Sequence, residues 1–259
     1  MAIMHLGFDT SLIDSYKSAS QRIRILTEDW ISRNMFCPLC GYHVLNRYEA
    51  NRPVADFYCS CCHSDYELKS KKSKFGKLGT RINDGAYSKM IERITSLSNP
   101  NFLFLTYYSN TVNNVILIPN YFFIPEIIEK RKPLSENAVR TGWIGCNVNI
   151  ASIPDNGKIF IVKDGREIDR QIVLDNYKKV KSLKTDNLSN RGWIIDVLKC
   201  IDRIEEIEFN LNQVYGFIEE FRLKYPLNNN IEAKIRQQLQ FLRDKGLIEF
   251  VGRGRYRKL

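Results

Sequence analysis

The stretch Asp56-Phe57-Tyr58-Cys59-Ser60-Cys61-Cys62-His63-Ser64-Asp65-Tyr66-Glu67-Leu68-Lys69 sets a cysteine knuckle between an aspartate and a Glu-x-Lys triplet. On a β-strand, residues two apart share a face, so Glu67 and Lys69 point one way and Leu68 points into the core. Two carboxylates, Asp56 and Glu67, suit Mg²⁺, which takes few carboxylates and completes its shell with water and a phosphate oxygen. Such a metal acidifies its bound water and stabilises the charge of an in-line displacement. A lysine beside it orients or activates that water and offsets phosphate charge. Taken alone the pattern is weak, because an alternating charged strand is commonly a solvated edge.

The knuckle has a partner upstream. Cys37-Pro38-Leu39-Cys40 repeats the x2 spacing of Cys59 and Cys62, and 18 residues separate Cys40 from Cys59. This fits paired C-x2-C knuckles about 15–20 residues apart. Each knuckle offers two thiolates from one tight turn, as a tetrahedral Zn²⁺ requires. Cys61 in place of Cys62, or entry of His63, remains an alternative; Cys62 is preferred for its spacing. A site closed by four thiolates is structural rather than catalytic.

The bulk composition agrees with this chemistry. The 259 residues are 44% hydrophobic and carry a net charge of +10, from 39 basic and 29 acidic side chains. That is enough apolar material for a core, and the positive balance favours a polyanionic partner. No window approaches the ~18 apolar residues of a membrane span. No basic segment followed by an apolar run opens the sequence, so no secretory signal is expected. The expected compartment is the reducing cytoplasm, where clustered cysteines are metal ligands rather than disulfides.

Working outward, residues 11–34 read as mostly helical through Ile23, Leu26, Trp30 and Ile31. Residues 69–81 hold six basic and no acidic side chains and read as an exposed loop. Residues 83–98 are expected to form a helix. Three short apolar runs, 102–105, 115–118 and 159–162, read as buried strands. The fold class is therefore α/β with a mixed central sheet and an embedded zinc site. Asp, ten residues, then Glu-x-Lys is also the spacing of the PD-(D/E)xK nuclease core. Glu28 and Asp29 on the first helix are further candidates for such a site, although surface helix charges are the plainer reading.

Residues 181–190 are polar and read as a linker, which divides the chain at 1–182 and 183–259. Beyond it, three apolar stripes at helical spacing precede a hairpin turning at Gly252-Arg253-Gly254. That order is the winged form of the helix-turn-helix, an α+β domain. Residues 231–259 carry eight basic and three acidic side chains, half of the chain's net charge. Asn230, Lys234, Arg236 and Gln237 fall on or beside the polar face of the third helix and are candidates for DNA contact. Arg253 and Arg255, with Arg257 and Lys258, are candidates for holding phosphates from the wing.

Six stretches, residues 25–30, 51–59, 67–72, 83–87, 142–147 and 234–239, closely resemble the DpnI-type methyl-directed restriction endonucleases. The resemblance runs from the first helix to Leu259. It implies an Mg²⁺-dependent type II endonuclease that acts as a monomer on double-stranded G-A-T-C carrying N6-methyladenine. It implies catalytic roles for Asp56, Glu67 and Lys69, structural zinc on Cys37, Cys40, Cys59 and Cys62, and a winged helix that also reads methylated sequence. Ala55 stands directly before Asp56, with the proline displaced to Pro53. Two alternatives remain: a methyl-DNA-binding regulator without activity, and a zinc-ribbon RNA-binding protein. Methyl dependence needs an apolar cup, and Trp143, preceded by Gly142, is the leading candidate in the catalytic domain. Trp143→Ala is then expected to lose cleavage of methylated DNA; cleavage equal to the parent's excludes that role.

Overall fold

The computed structural model describes residues 4–49, 55–74, 76–96, 99–185 and 187–259. Residues 51–54, including Pro53 and the start of one resembling stretch, lie outside the described residues. Helix α1 (Ala19–Asn34) buries Leu26, Trp30 and Ile31. It starts eight residues later than the periodicity suggested, after a single 3-10 turn at Thr10–Ile13. Strands β1 (Asn46–Arg47), β2 (Phe57–Tyr58) and β3 (Asp65–Lys72) then form an antiparallel ribbon, with Phe57 opposite Tyr66.

Next come β4 (Arg81–Ala86), α2 (Tyr87–Thr95), β5 (Asn101–Tyr108) and β6 (Thr111–Ile118). The first part of the chain is completed by β7 (Ile128–Lys130), β8 (Gly145–Asn149), β9 (Ile159–Lys163), β10 (Arg166–Glu167) and α3 (Arg170–Lys181). The main sheet has the order β1-β2-β3-β5-β6-β9-β10. Only β3 and β5 pair in parallel; the other neighbours are antiparallel. The three apolar runs fall on β5, β6 and β9, and the sheet is mixed, as expected. Residues 102–105 and 115–118 are buried throughout, so these central strands are covered on both faces.

The helix expected from residue 83 is a correction. Residues 81–86 form β4, and α2 begins only at Tyr87. Tertiary pairing decides this: β4 runs antiparallel to β8, with Ile82 opposite Val148 and both buried, in a second sheet of order β4-β8-β7. The register shifts between Asp84 and Ala86, a bulge at Gly85.

The C-terminal part comprises α4 (Leu188–Arg203), β11 (Glu208–Asn210), α5 (Leu211–Tyr215) and α6 (Ile218–Lys224). It continues with α7 (Ile231–Asp244), β12 (Ile248–Gly252) and β13 (Arg255–Lys258). The second apolar stripe is thus two short helices, broken at Gly216 and preceded by a strand absent from the sequence reading. Asn210 explains the start of α5, because its side chain and that of Gln213 form a reciprocal capping box. The third sheet has the order β11-β13-β12, with β11 recruited by β13. The linker is shorter than expected, since Asn187 caps α4 by accepting from Asn190 N.

A buried polar residue ties the basic segment to the main sheet. Asn114 on β6 is 1% exposed. Its Nδ2 donates to Gly76 O at 2.6 Å and Thr106 Oγ1 at 3.1 Å, and its Oδ1 accepts from Asp164 N at 3.0 Å. Asn114→Leu removes these three bonds, leaves the buried Thr106 hydroxyl without this partner, and is expected to cost about 1–3 kcal/mol. Urea unfolding measures this; a loss below about 0.5 kcal/mol excludes the anchoring role.

Candidate metal and carboxylate centre

The two knuckles fold alike because each closes a tight turn with the next backbone amide. Gly41 N donates to Cys37 O at 2.8 Å, and His63 N donates to Cys59 O at 2.9 Å. Both turn residues take the left-handed region, with φ of 78° at Gly41 and 55° at His63. The sulfurs of Cys37, Cys40, Cys59 and Cys62 lie within 4.8 Å of one another. Cys37 Sγ to Cys62 Sγ and Cys40 Sγ to Cys59 Sγ are each 3.6 Å. Four thiolates around Zn²⁺ at about 2.3 Å have tetrahedral edges of about 3.8 Å, so the cluster fits the ion. Cys61 is exposed and outside the cluster, and His63 serves the turn.

Tyr66 links the cluster to β3. Its hydroxyl lies 2.9 Å from Cys37 Sγ, and both groups are buried. Burial, with the cysteines beside it, pushes the Tyr66 hydroxyl far above its usual range and keeps it protonated, a donor to a thiolate. The next residue on the strand, Glu67, points to the opposite face.

There Glu67 and Lys69 meet as the alternation predicts, with Lys69 Nζ 2.8 Å from Glu67 Oε1. The lysine also reaches Asp84 Oδ1, on β4, at 2.7 Å. Arg93 of α2 holds Glu67 Oε2 at 2.5 Å. Burial raises the Glu67 carboxyl above the ordinary range, against the pull of Lys69 and Arg93. Burial alone would lower the Lys69 ammonium, but Glu67 and Asp84 outweigh it and raise it instead. Lys69 is therefore held as a cation.

Asp56 directly precedes β2. Its Oδ2 accepts from Leu68 N at 2.8 Å, so its carboxylate is fixed against the backbone between Glu67 and Lys69. On α1, Glu28 is 3% exposed and pairs with Arg24 at 2.6 Å and with Arg47. Arg24 also feels the charge of Asp56. Glu28 is thus a buried member of this neighbourhood, not the surface charge that the helix pattern suggested. Asp29 is a surface charge, bound by Arg33 at 2.8 Å. Asp84 was missed because it was assigned to a helix; the Asn-Asp-Gly sequence was the available sign of a turn or bulge.

Trp143 is half-buried beside β8, with its ring over Gly145, where a Cβ would sit 2.8 Å from the indole. Gly142, at φ 72°, has open space around it, so it serves the backbone turn rather than a close approach. On α7, Arg236 and Gln237 are exposed, as is Asn230 at the cap, and Lys234 is half-buried. Arg253 and Arg255 are exposed at the hairpin, Arg255 pairing with Glu208 at 3.2 Å. Arg257 is held by Glu208 at 2.7 Å and Glu249 at 3.1 Å, and Lys258 donates to Ile204 O. Arg257 and Lys258 are thus engaged within the protein, as Arg255 is through Glu208.

Residues 4–186 match the model of the DpnI, or Dam-replacing, family. The chain belongs to that family. Residues 189–258 match the Dam-replacing HTH domain, so the family match continues through the C-terminal helical part. Membership suggests a restriction-type nuclease that binds DNA. Among the described residues, no helix is long and apolar enough to cross a membrane.

The Tyr66 link makes a measurable claim. Tyr66→Phe is expected to speed zinc loss to a competing chelator about tenfold, as losing a partner of a metal ligand commonly does. An unchanged release rate excludes the link. Complete chelation is expected to unfold the N-terminal part while sparing the C-terminal part, followed by proteolysis and circular dichroism.

Proposed function

We propose that this protein is an Mg²⁺-dependent PD-(D/E)xK endonuclease that hydrolyses double-stranded DNA at G-A-T-C carrying N6-methyladenine. The observation that carries the reading is the contact of Glu67 and Lys69 on one face of β3, with Asp56 bonded to Leu68 N between them. Family membership supports a methyl-directed restriction-type function.

In this reading Asp56 and Glu67 hold the divalent cation. The metal, when bound, supplies an acidified water and a positive charge at the scissile phosphate. Fixing Asp56 through Leu68 N sets the spacing of the carboxylates before metal or DNA arrives. Lys69 is charged while Glu67 and Asp84 hold it, so it orients water and offsets phosphate charge; it is not the base in that state. Arg93 and Lys69 balance the buried Glu67.

The C-terminal part, helix-strand-helix-helix-helix followed by a hairpin, acts as a winged helix in this proposal. Asn230, Lys234, Arg236 and Gln237 present α7 to base edges, and Arg253 and Arg255 hold the backbone. Trp143 serves as the apolar contact for the methyl group. A monomer carries all these parts.

Digestion of adenine-methylated and unmethylated plasmid, with Mg²⁺ or with EDTA, tests the reading. Cleavage of methylated DNA with Mg²⁺ only is expected, and Asp56→Ala or Glu67→Ala should lower it by at least about a thousandfold. Equal cutting of both plasmids removes methyl dependence. Binding without cutting turns the reading toward a regulator.

A further inference from the structure

Asp84 belongs to neither the zinc cluster nor the Asp, Glu-x-Lys pattern, yet it reaches the same centre from the second sheet. The register of β4 shifts at Gly85, and beside that shift Asp84 meets Lys69 of β3. The Asp84 side chain is only 7% exposed. Its Oδ1 accepts from Gly85 N at 2.6 Å and from Lys69 Nζ at 2.7 Å. Its Oδ2 is buried and has no partner among the described residues.

That orphan oxygen is the informative feature. A carboxylate placed only to anchor a lysine would use both oxygens or leave one in water, because a dry, unpartnered oxygen of an anion is costly. Here one ammonium bridges Asp84 Oδ1 and Glu67 Oε1, so the two carboxylates face a common space. A hard divalent cation seeks oxygen ligands from one or two carboxylates and completes its shell with water. It would satisfy the oxygen that no group among the described residues satisfies, and it would replace the ammonium as counter-charge.

We propose that Asp84 is a further ligand of the divalent cation, acting with Glu67, and that Lys69 occupies the ligand space between them when the metal is absent. This rests on the nuclease reading and adds to it a carboxylate contributed by another sheet.

The test is calorimetric titration of Mn²⁺ into zinc-loaded protein without DNA, comparing the parent with Asp84→Asn, Asp56→Asn and Lys69→Met. Asparagine keeps the shape and the acceptor for Gly85 N, and circular dichroism checks the fold; Asp84→Ser replaces it if that variant does not fold. Asp84→Asn is expected to weaken Mn²⁺ binding by about tenfold or more. Lys69→Met is expected to bind Mn²⁺ at least as tightly as the parent, because it removes the competing ammonium. If Asp84→Asn binds Mn²⁺ like the parent while Asp56→Asn does not, Asp84 is no ligand and the nuclease reading stands. If the parent itself binds no Mn²⁺, both ideas fall. Weaker Mn²⁺ binding by Lys69→Met overturns the proposed exchange of ammonium for metal.

Discussion

Inside the protein, the Tyr66 hydroxyl meets Cys37 Sγ at 2.9 Å, and this contact joins two kinds of stability. On one side lies the cysteine cluster, which needs a metal to bring four thiolates together. On the other lies β3, wedged between β2 and β5 in the main sheet. Because Tyr66 and Glu67 are consecutive, the first points to the cluster and the second to the carboxylate centre. Any rotation of the strand would move both. The cysteine cluster and the carboxylate centre therefore share the orientation of β3, and Tyr66 carries the contact between that strand and the cluster.

The opposite face of β3 holds a concentration of charge unusual for a protein interior. Two carboxyl groups, Glu67 and Asp84, meet two basic side chains, Lys69 and Arg93, and all four side chains are at most 25% exposed. Buried pairs of this kind add little net stability, since desolvation offsets the attraction. Their arrangement is more readily explained as preparation for a more highly charged visitor. Arg93 comes from α2, Asp84 from β4, Glu67 and Lys69 from β3, so the centre is assembled where the two sheets meet.

The sequence revealed those parts that depend on local spacing. The knuckles, the alternation Glu67-Leu68-Lys69 and the apolar runs of β5, β6 and β9 are set by periods of two or by short fixed intervals, and the structure follows them. Asp84 and β4 were illegible because their strand state depends on β8, more than sixty residues away. The same holds for β11, which pairs with β13 near the end of the chain. Glu28 reads as a surface charge on its helix, yet it is buried and one of its partners, Arg47, lies off that helix. Pairing at long sequence distance leaves no mark in the intervals that a sequence reading uses.

The hairpin arginines bear on how this protein should respond to salt. Affinity for DNA falls with ionic strength in proportion to the phosphates that a protein neutralises, because each neutralisation frees condensed counterions. A guanidinium already clasped by Glu208 and Glu249, as Arg257 is, frees none unless it leaves them. Lys258, turned to Ile204 O, is similarly occupied. If the hairpin meets DNA while these contacts persist, the basic tail would release fewer ions than its charge count implies. Its attachment to DNA should be correspondingly less steeply governed by salt, leaving a larger share of the binding to shape and base contact.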